Sequence, residues 1–447
     1  MTGRLTGIAS AVLAGCALLA LGGCAGEDGL ELPKLGDLNP FKEKQTPLPG
    51  RRIALTQSDS KVPGELADAS IPILLPPVRI NDNWSQPGGE PNNAPGNLAL
   101  AGSLKVAWTA DAGTGTSNKG RVTASPVVAD GRVFTLDADG LVTAFPVGGG
   151  SPIWKIELAG EGEAKGVGYG GGLALDGGRL YGASGYGYVV ALDPATGKKY
   201  WEKNVGAPIR TSPTAANDRM YVVSSQGRFF CFNGADGTEL WAVRGLPQTA
   251  SLINNASPAV DGDTVVAPYS SGDVVALHVN DGSAVWTENL TRTKITSQLA
   301  SLSDVARPAI DSGVVFAVGH SGKMVATQIK SGERMWSANI AGTQTPWVAG
   351  ETVFVVDTEG QLMALSRRDG KVQWTTQLPT AKVWSGPTLA GGILWLTSNK
   401  GRLIGVDAVT GKQGSELDLG EKVYIAPVVA GGKMFVFTDT AKLIALN

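Results

Sequence analysis

The sequence predicts an all-β protein, an eight-bladed β-propeller built from four-stranded blades. Three observations support this prediction. A small residue followed ten positions later by Trp recurs along the chain. The repeat length averages about 43 residues, which is enough for four short strands and their turns. Gly accounts for 61 of the 447 residues, and Asp-Gly pairs stand where tight hairpin turns are expected.

The composition describes a folded protein with few catalytic groups. Hydrophobic residues make up 43% of the chain, charged residues 17%, and the formal net charge is −2. These values exclude a disordered chain and argue against a nucleic-acid-binding protein, which usually carries a basic face. With 2 His and 3 Cys, the chain has few residues for metal sites or nucleophilic catalysis. We therefore expect neither an enzyme nor a metal or cofactor site.

Residues 1–23 have the pattern of a secretory signal peptide. Arg4 provides a positive start, an apolar run extends from Ile8 to Leu21, and two Gly residues precede Cys24. A Cys after small residues resembles the lipobox of bacterial lipoproteins, which implies that Cys24 becomes the acylated N-terminus, with palmitate among its fatty acids. Ala25 rather than Asp follows the Cys, and the resemblance then implies an anchor in the outer membrane, on its periplasmic face.

Two alternatives to this interpretation of the N-terminus are open. Leu13-Ala14-Gly15-Cys16 fits the same lipobox pattern, but it leaves only about eight apolar residues upstream, near the lower limit for a signal peptide. A retained membrane helix is disfavoured because the apolar run is shorter than the ~20 residues that span a bilayer. We favour Cys24 as the lipidated residue.

Residues 24–97 are predicted to be a tether. This segment has no sustained hydrophobic period and is rich in Pro, Gly, Asn and charge, as in the run Pro87–Asn93. Such a composition is typical of a flexible spacer between an anchor and a folded body. The short apolar run Ile71–Leu75 is expected to dock onto that body. The propeller itself is predicted to occupy residues 98–447.

The repeats predict the position of seven Trp residues. Six units carry the full pattern, with the pairs Ala144/Trp154, Ala191/Trp201, Cys231/Trp241, Ala276/Trp286, Ala326/Trp336 and Ala364/Trp374. A degenerate copy from Gly405 to Ser415 has lost its Trp, and an eighth unit begins at Ala445 near the C-terminus. We expect Trp108 to complete that last unit. All seven Trp are predicted to be structural and to lie between neighbouring blades, where each buries a large ring.

Strand signals within one repeat predict a complete blade. The four expected strands are Ser212–Ala215, Arg219–Ser224, Gly227–Phe232 and Leu240–Arg244. The segment around Trp108 is expected to pair with the C-terminal blade, Tyr424–Asn447, because this pairing closes the ring and removes open sheet edges.

The remaining Cys and His residues are predicted to have no catalytic role. Loss of Cys16 with the signal peptide and acylation of Cys24 leave Cys231 alone, so the mature chain has no intramolecular disulfide. Cys231 stands among Phe residues and is expected to be a small core residue. His278 and His320 fall in different blades with no evident nucleophile beside them.

The unit Ala191–Trp201 resembles the repeat of the quinoprotein dehydrogenase-like propellers, and Asn83–Gly89 is similar to the opening segment of that superfamily. Its enzymes bind pyrroloquinoline quinone and Ca²⁺. This chain lacks their adjacent cysteine pair, a Cys-x-x-Cys-His haem motif and any obvious grouping of Ca²⁺ ligands. The Gly-rich stretch Gly166–Gly172 looks like a phosphate loop only superficially, since strands are expected to follow it.

The combination of lipobox, tether and eight blades without cofactor ligands resembles the BamB family. These are lipoproteins of the outer-membrane β-barrel assembly (BAM) machinery, which inserts barrel proteins into the outer membrane. The resemblance implies a non-enzymatic scaffold that binds the POTRA domains of BamA and meets other BAM subunits. Unfolded barrel precursors are a further expected partner, since exposed blade edges could pair with their strands.

Two segments resemble the BamA-contacting segments of that family. In Ala250–Pro258, Leu252 matches an apolar contact position, whereas Ala250 and Ile253 replace a Leu and an Arg. In Leu302–Val305, Asp304 matches an acidic position; Ala306 replaces a second acid, and Arg307 next to it changes the charge pattern. The alternative is that Leu252 and Ile253 are ordinary blade residues and Asp304 a turn residue.

Two other functions remain open from the sequence alone. One is a cysteine-poor periplasmic oxidoreductase that depends on pyrroloquinoline quinone. The other is a propeller of the cell envelope that binds glycans.

Overall fold

The computed structural model describes residues 72–158, 163, 168–245, 256–291 and 304–447, all within the compact unit Ser60–Asn447. These residues form 32 β-strands arranged in eight four-stranded antiparallel sheets. The predicted all-β, eight-bladed propeller is therefore confirmed. No helix in this described part of the chain is long and apolar enough to cross a membrane.

The blades follow one another along the chain. Blade I contains β2 (Val127–Ala129), β3 (Arg132–Leu136), β4 (Leu141–Pro146) and β5 (Trp154–Glu157); blade II contains β6 (Gly171–Asp176), β7 (Arg179–Ser184), β8 (Tyr188–Leu192) and β9 (Lys199–Asn204); blade III contains β10 (Thr214–Ala216), β11 (Arg219–Val223), β12 (Arg228–Asn233) and β13 (Glu239–Arg244); blade IV contains β14 (Ala259–Asp261), β15 (Thr264–Pro268), β16 (Asp273–His278) and β17 (Ala284–Asn289).

The second half of the ring repeats this arrangement. Blade V contains β18 (Ala309–Asp311), β19 (Val314–Val318), β20 (Met324–Gln328) and β21 (Arg334–Ala338); blade VI contains β22 (Trp347–Ala349), β23 (Thr352–Val356), β24 (Gln361–Ser366) and β25 (Val372–Gln377); blade VII contains β26 (Trp384–Ala390), β27 (Ile393–Ser398), β28 (Arg402–Asp407) and β29 (Gln413–Asp418); blade VIII contains β30 (Val428–Ala430), β31 (Lys433–Phe437) and β32 (Lys442–Leu446), with β1 (Val106–Asp111) as its fourth strand.

Blade VIII closes the ring in the predicted way. Strand β1 pairs antiparallel with β32, and Trp108 lies opposite Ala445. This pairing joins residues from opposite ends of the propeller sequence into one sheet. Without β1, blade VIII would contain only three strands, and β32 would be an unpaired sheet edge.

The ten-residue spacing has a simple geometric origin. In each regular blade the small residue of the third strand is the cross-strand partner of the Trp in the fourth strand, as in Ala191 and Trp201. The same pairing occurs at Ala144/Trp154, Cys231/Trp241, Ala276/Trp286, Ala326/Trp336 and Ala364/Trp374. A small side chain beside the indole leaves room for the ring on the pleated surface.

Each of the seven Trp side chains joins its blade to the next one. The indole N–H of Trp201 donates to the Gly234 carbonyl, in the turn between the third and fourth strands of blade III, at 2.9 Å. A Cβ on Gly237 in the same turn would lie 2.6 Å from the indole ring, so only Gly fits there. The equivalent indole bonds are Trp108 to Val147, Trp154 to Pro194, Trp241 to Val279, Trp286 to Ile329, Trp336 to Arg367 and Trp374 to Ala408.

Blade VII accommodates the loss of its fourth-strand Trp by a different solution. Trp395 stands in the second strand, directly opposite Gly405, and is almost completely buried. A Cβ on Gly405 would lie 2.9 Å from Ile393 and 3.1 Å from the Trp395 ring. The missing ring is thus replaced from a neighbouring strand, and Gly405 provides the space.

We expect Gly405→Val to lower the free energy of unfolding by about 1–3 kcal/mol, because the added side chain overpacks the Trp395 contact. Gly414→Ala in the same blade is the control; its Cβ would meet nothing closer than 3.8 Å, so it should change stability little. Urea denaturation followed by circular dichroism measures both variants. Equal midpoints for the two would contradict the packing argument.

Residues 79–98, which we call the N-terminal strap, are bound to the inner strands of all eight blades. Backbone bonds join Trp84 to Val128 in blade I, Ser85 to Leu175 in blade II, Pro91 to Val260 in blade IV, Asn92 to Ile310 in blade V, Leu98 to Leu389 in blade VII and Asn81 to Gly431 in blade VIII. Side-chain bonds join Gln86 to Ala215 in blade III, and Trp347 of blade VI to Gly96.

The strap revises the predicted boundary between tether and propeller. We predicted a spacer over residues 24–97, but residues 79–97 belong to the folded body. Asn and Gln side chains of the strap instead satisfy backbone groups of the blades, as Gln86 does at Ala215 and Asn93 at Pro308. Ile73 is buried in the hydrophobic cluster that contains Trp84, consistent with docking of the apolar run, although Ile71 itself lies outside the described residues.

Candidate functional site: the central cavity and the predicted contact segments

A cavity of about 520 Å³ lies between the strap and the connections that lead into blades I and V to VIII. The strap forms one of its walls through Trp84, Pro87, Gly88 and Asn93. The other lining residues come mainly from connections between a fourth strand and the next blade's first strand, such as residues 343–345. The strap bonds to turns at the opposite end, for example to Gly431. The strap is therefore both a wall of the cavity and a link between the blades.

Arg307 is a charged group of the cavity lining that contacts the strap. Its Nε donates to the Ser257 hydroxyl at 2.7 Å, and its Nη1 lies 3.4 Å from the Pro87 carbonyl and 3.5 Å from the Thr345 hydroxyl. These three bonds hold the guanidinium between the strap and the connections that lead into blades IV, V and VI. Burial lowers the pKa of Arg307 to about 10, because the charged form loses solvation. The side chain still carries its positive charge at neutral pH.

Aromatic side chains make up much of the remaining wall. Trp84 and Trp347 stack with ring centroids 6.3 Å apart and an interplanar angle of 25°. Trp384 lines the same cavity. The Trp84 indole N–H is buried and has no hydrogen-bond partner in the described part of the chain, and the same holds for the Asn93 side-chain oxygen. The cavity lining thus combines the guanidinium groups of Arg121 and Arg307, several indole rings and two unsatisfied polar atoms.

The predicted contact residues are divided between three locations. Ala250, Leu252 and Ile253 lie outside the described residues, as does the lipidation candidate Cys24. Asp304 is 6% exposed, and its backbone carbonyl accepts from the N–H of His320. Arg307, predicted beside it as an interface residue, lines the central cavity instead.

Cys231 and the two histidines lie in three different environments of the propeller. Cys231 is completely buried opposite Trp241, and burial raises the pKa of its thiol to about 12, so it stays protonated. His278 is exposed at the end of β16, and His320 lines the cavity. Strand β6 starts at Gly171, so the Gly-rich stretch leads into a strand rather than a helix, as we predicted.

Sequence reasoning missed the residues that build the cavity. Trp84, Gln86 and Asn93 fall in a segment that was assigned to the tether, and Arg307 was assigned to an outer surface. The available signal was the likeness of Asn83–Gly89 to the opening segment of a propeller superfamily, which indicates a fixed position in the fold rather than a spacer.

The described lining does not fit the Ca²⁺ of the quinoprotein dehydrogenases. In the part of the chain that the structure describes, no group of three or more His, Cys, Asp or Glu side chains is arranged to hold a metal ion. The sequence contains no adjacent cysteines either.

Comparisons with known proteins agree with the architecture. A BamB from Moraxella catarrhalis superposes with a TM-score of 0.63 at 16% identity, over 77% of this chain and 98% of that structure. The quinohemoprotein alcohol dehydrogenase of Comamonas testosteroni gives 0.64 at 14% identity, over 82% of this chain and 80% of that one. At these identities the likeness shows the fold alone.

Sequence comparisons are more specific. The outer membrane protein assembly factor BamB of Shewanella oneidensis is 23% identical over 314 residues, 69% of each chain. The pattern of the family described as "Outer membrane protein assembly factor BamB" matches residues 138–376 and 377–447, well over half of the chain. With its eight blades and the recurring Trp joints, the chain belongs to the BamB family of outer membrane protein assembly factors.

Proposed function

We propose that this protein is a non-enzymatic scaffold that binds BamA of its own organism and assists the folding and insertion of barrel proteins into the outer membrane. The observation that carries this proposal is the family match over most of the propeller. A closed propeller is a rigid body with broad loop surfaces at both ends, which suits it to holding other proteins in place.

The proposed contact surface for the POTRA domains lies at one end of blades III to V. The first contact segment falls between β13 and β14, and the second between β17 and β18. Both connections join a fourth strand to the first strand of the following blade. They therefore lie at the same end of the propeller. This supports a joint surface that includes Leu252, with Ala250 and Ile253 beside it.

Two residues of the predicted interface take different parts in this proposal. Asp304 is retained as a residue that positions the second segment, because it is buried where that segment joins blade V. Arg307 is not retained, since its guanidinium lines the cavity.

Lipidation of Cys24 would keep the propeller at the periplasmic face of the outer membrane. A tether raises the effective concentration of a domain around a membrane-bound partner without any new contact. Other BAM subunits would then meet the same scaffold.

The exposed edges of the fourth strands, such as β9, give unfolded precursors a place for strand addition. Protection of β9 amides from hydrogen exchange by added precursor would support that step, and unchanged exchange would count against it.

The test is binding of the soluble protein, from Glu27 onward, to the periplasmic POTRA domains of the same organism's BamA. We expect saturable binding that Leu252→Asp weakens at least about tenfold, because a contact apolar side chain is replaced by a charge that must be desolvated. Leu240→Asp is the matched control, since Leu240 is exposed on the outer strand of blade III. Isothermal titration calorimetry measures all three proteins.

Asp304→Arg is measured in the same titration. We expect weaker binding here too, with Asp236→Arg in an exposed turn at the opposite end of blade III as the control. Thermal melting shows whether each variant is folded. If none of these variants changes binding, the scaffold function stands and the proposed contact surface is wrong. No binding by a folded protein would overturn the proposed function.

A further inference from the structure

We propose that residues 78–80, which we call the apolar edge, form an open strand edge that binds an extended peptide with apolar side chains at alternate positions. This edge lies at the end of the propeller opposite the proposed POTRA surface. The inference rests on free backbone groups and on exposed apolar side chains. The choice of a barrel precursor as the source of such a peptide rests on the proposed function, whereas the edge itself does not.

The N-terminal strap adds two short extended segments to the inner strand of blade VII. Leu98 pairs in parallel with Ala390 of β26, and Arg79 pairs in parallel with Leu98. The Arg79 N–H donates to the Asn97 carbonyl at 2.9 Å, and the Arg79 carbonyl accepts from the Ala99 N–H at 2.8 Å. The segment around Arg79 is therefore the last strand of this local sheet.

The two neighbours of Arg79 direct their backbone groups away from this pairing. In an extended strand the N–H and C=O groups of successive residues point to opposite edges, so those of Val78 and Ile80 face the open side. No hydrogen bond joins the backbone of either residue to another residue in the described part of the chain. Two donors and two acceptors are thus available to a further strand.

Apolar side chains accompany these free backbone groups. Val78 is 52% exposed and Ile80 is 80% exposed, and Leu74 just before them is also exposed. Ile73 and Leu75 instead pack into the hydrophobic core, which fixes the segment on the body of the propeller. A cluster of exposed apolar side chains on a fixed backbone is typical of an interaction surface.

The apolar edge lacks the charges that usually prevent strand addition. Natural sheet edges are commonly protected by charged residues, especially Lys. Arg79 is the only charged residue between Pro72 and Asn81. Its guanidinium is held within the strap, by the Glu90 carboxylate and by an Nε bond of 2.7 Å to the Pro95 carbonyl. The edge is therefore suited to an apolar strand.

An extended peptide satisfies both features of the edge at once. Its backbone pairs with the free N–H and C=O groups, and its apolar side chains cover Val78 and Ile80. A lipid surface would bury the side chains but leave the backbone groups without partners, which is unfavourable. Alternating apolar and polar residues are the pattern of transmembrane β-strands, so an unfolded barrel precursor is the partner that fits.

A peptide at this edge leaves the proposed BamA contact free. The Leu74 carbonyl would lie 3.1 Å from a Cβ on Gly350, and the Asn81 carbonyl accepts from the Gly431 N–H. Both Gly residues stand in turns between the first and second strands of their blades. Such turns lie at the end opposite the connections between blades. We therefore expect the peptide and the POTRA domains to bind at the same time.

Fluorescence anisotropy of the soluble protein, from Glu27 onward, tests the proposal with fluorescein-Lys-Thr-Val-Thr-Val-Thr-Val-Thr-Lys-amide. We expect saturable binding that Ile80→Lys weakens about tenfold or more, because the variant removes apolar cover and places a charge at the edge. The same peptide with Ser in place of each Val should bind about tenfold more weakly, and so should one methylated on its three central backbone nitrogens. No binding of the first peptide would overturn the proposal.

Two further variants locate the binding. Tyr424→Lys, at an exposed position in the connection before blade VIII, is the control and should bind the peptide as the native protein does. Tyr200→Lys reports on the outer edge of β9. Binding that weakens in Tyr200→Lys but not in Ile80→Lys would assign the peptide to the blade edges and overturn the site. Equal binding of the methylated peptide would exclude backbone pairing and overturn it too.

Hydrogen exchange observes the edge directly. The amides of Val78 and Ile80 should exchange fast in the protein alone and slowly with the peptide, whereas the bonded Arg79 amide should exchange slowly in both. Slow exchange of the first two without peptide would mean that the chain's own tether or a second copy covers the edge, and the proposal would be wrong. Binding to phosphatidylethanolamine and phosphatidylglycerol vesicles, lost in Ile80→Lys, with no peptide binding would assign the surface to lipid instead.

The test is separate from that of the scaffold function. POTRA binding should survive in Ile80→Lys, and peptide binding should survive in Leu252→Asp. Loss of both in Ile80→Lys, with the protein folded by thermal melting, would contradict the separation of the two surfaces.

Discussion

Gln86→Ala is expected to lower the free energy of unfolding by about 3 kcal/mol or more. The Gln86 side chain is 1% exposed and bridges two blades. Its amide nitrogen donates to the carbonyls of Leu175 and Ala215, at 2.9 and 2.8 Å, and its oxygen accepts from the Ala215 N–H at 3.0 Å. Truncation leaves three buried backbone groups without these bonds, and each unsatisfied group costs about 1–3 kcal/mol.

Gln86→Glu sharpens this test because it preserves shape and size. At neutral pH it places a carboxylate oxygen against two carbonyls, so we expect a loss at least as large as that of the Ala variant. The carbonyls favour the protonated acid and raise its pKa in the folded state, so the stability of this variant should increase as pH falls.

The control for both variants is Gln328→Ala, an exposed glutamine at the end of β20, which should change stability by less than about 0.5 kcal/mol. Urea denaturation followed by circular dichroism at several pH values gives the three free energies. If Gln86→Ala behaved like the control, the strap would not be a structural part of the propeller.

Trp201→Ala is expected to cost about 3–5 kcal/mol of the free energy of unfolding. The ring is 8% exposed, packs 6.2 Å from the Tyr181 ring and lies over Gly237 of the next blade. Its removal leaves a cavity at the joint between blades II and III and also leaves the Gly234 carbonyl without its indole donor.

Two further substitutions separate these contributions. Trp201→Phe removes the donor and part of the ring volume, so an intermediate loss is expected. Tyr200→Ala changes the adjacent residue, which is 52% exposed, and should lie within about 0.5 kcal/mol of the native protein. Thermal and chemical denaturation rank the three variants. A Trp201→Ala variant as stable as Tyr200→Ala would contradict the role of the joint.

Much of the fold could be predicted from the sequence because the same packing requirement recurs in successive blades. Each blade needs a large ring at its outer joint and a small residue beside it, so the pair Ala191 and Trp201 recurs with one spacing. The predicted strands of blade III each overlap an observed strand, from β10 to β13. The closing strand could be predicted because the last unit ends before its Trp, and Trp108 stands unassigned at the start.

The degenerate unit marks one limit of that reasoning. Loss of the Trp near Ser415 was visible, but its replacement by Trp395 was not, because the two strands face each other only in the folded sheet. A repeat pattern records spacing along one strand, whereas packing volume is shared across several strands.

The candidate site shows a deeper limit. Asp304 and Arg307 are close in sequence, and both were expected at one surface. The turn of the chain into blade V buries the first and directs the second into the cavity. Which way a side chain points at such a turn depends on the tertiary position of the inner strand, not on residue type.

By itself the sequence determined the all-β class, the eight blades, the Trp joints and the closing strand, because these follow from local periodicity that every blade repeats. Only the tertiary structure decided that residues 79–98 belong to the body and that Arg307 lines a cavity beside them. The strap has no period of its own, and its Gln and Asn side chains gain their role from backbone groups hundreds of residues away, such as the Pro308 carbonyl that Asn93 binds at 2.8 Å. Such long-range hydrogen bonds leave no regular pattern along the chain.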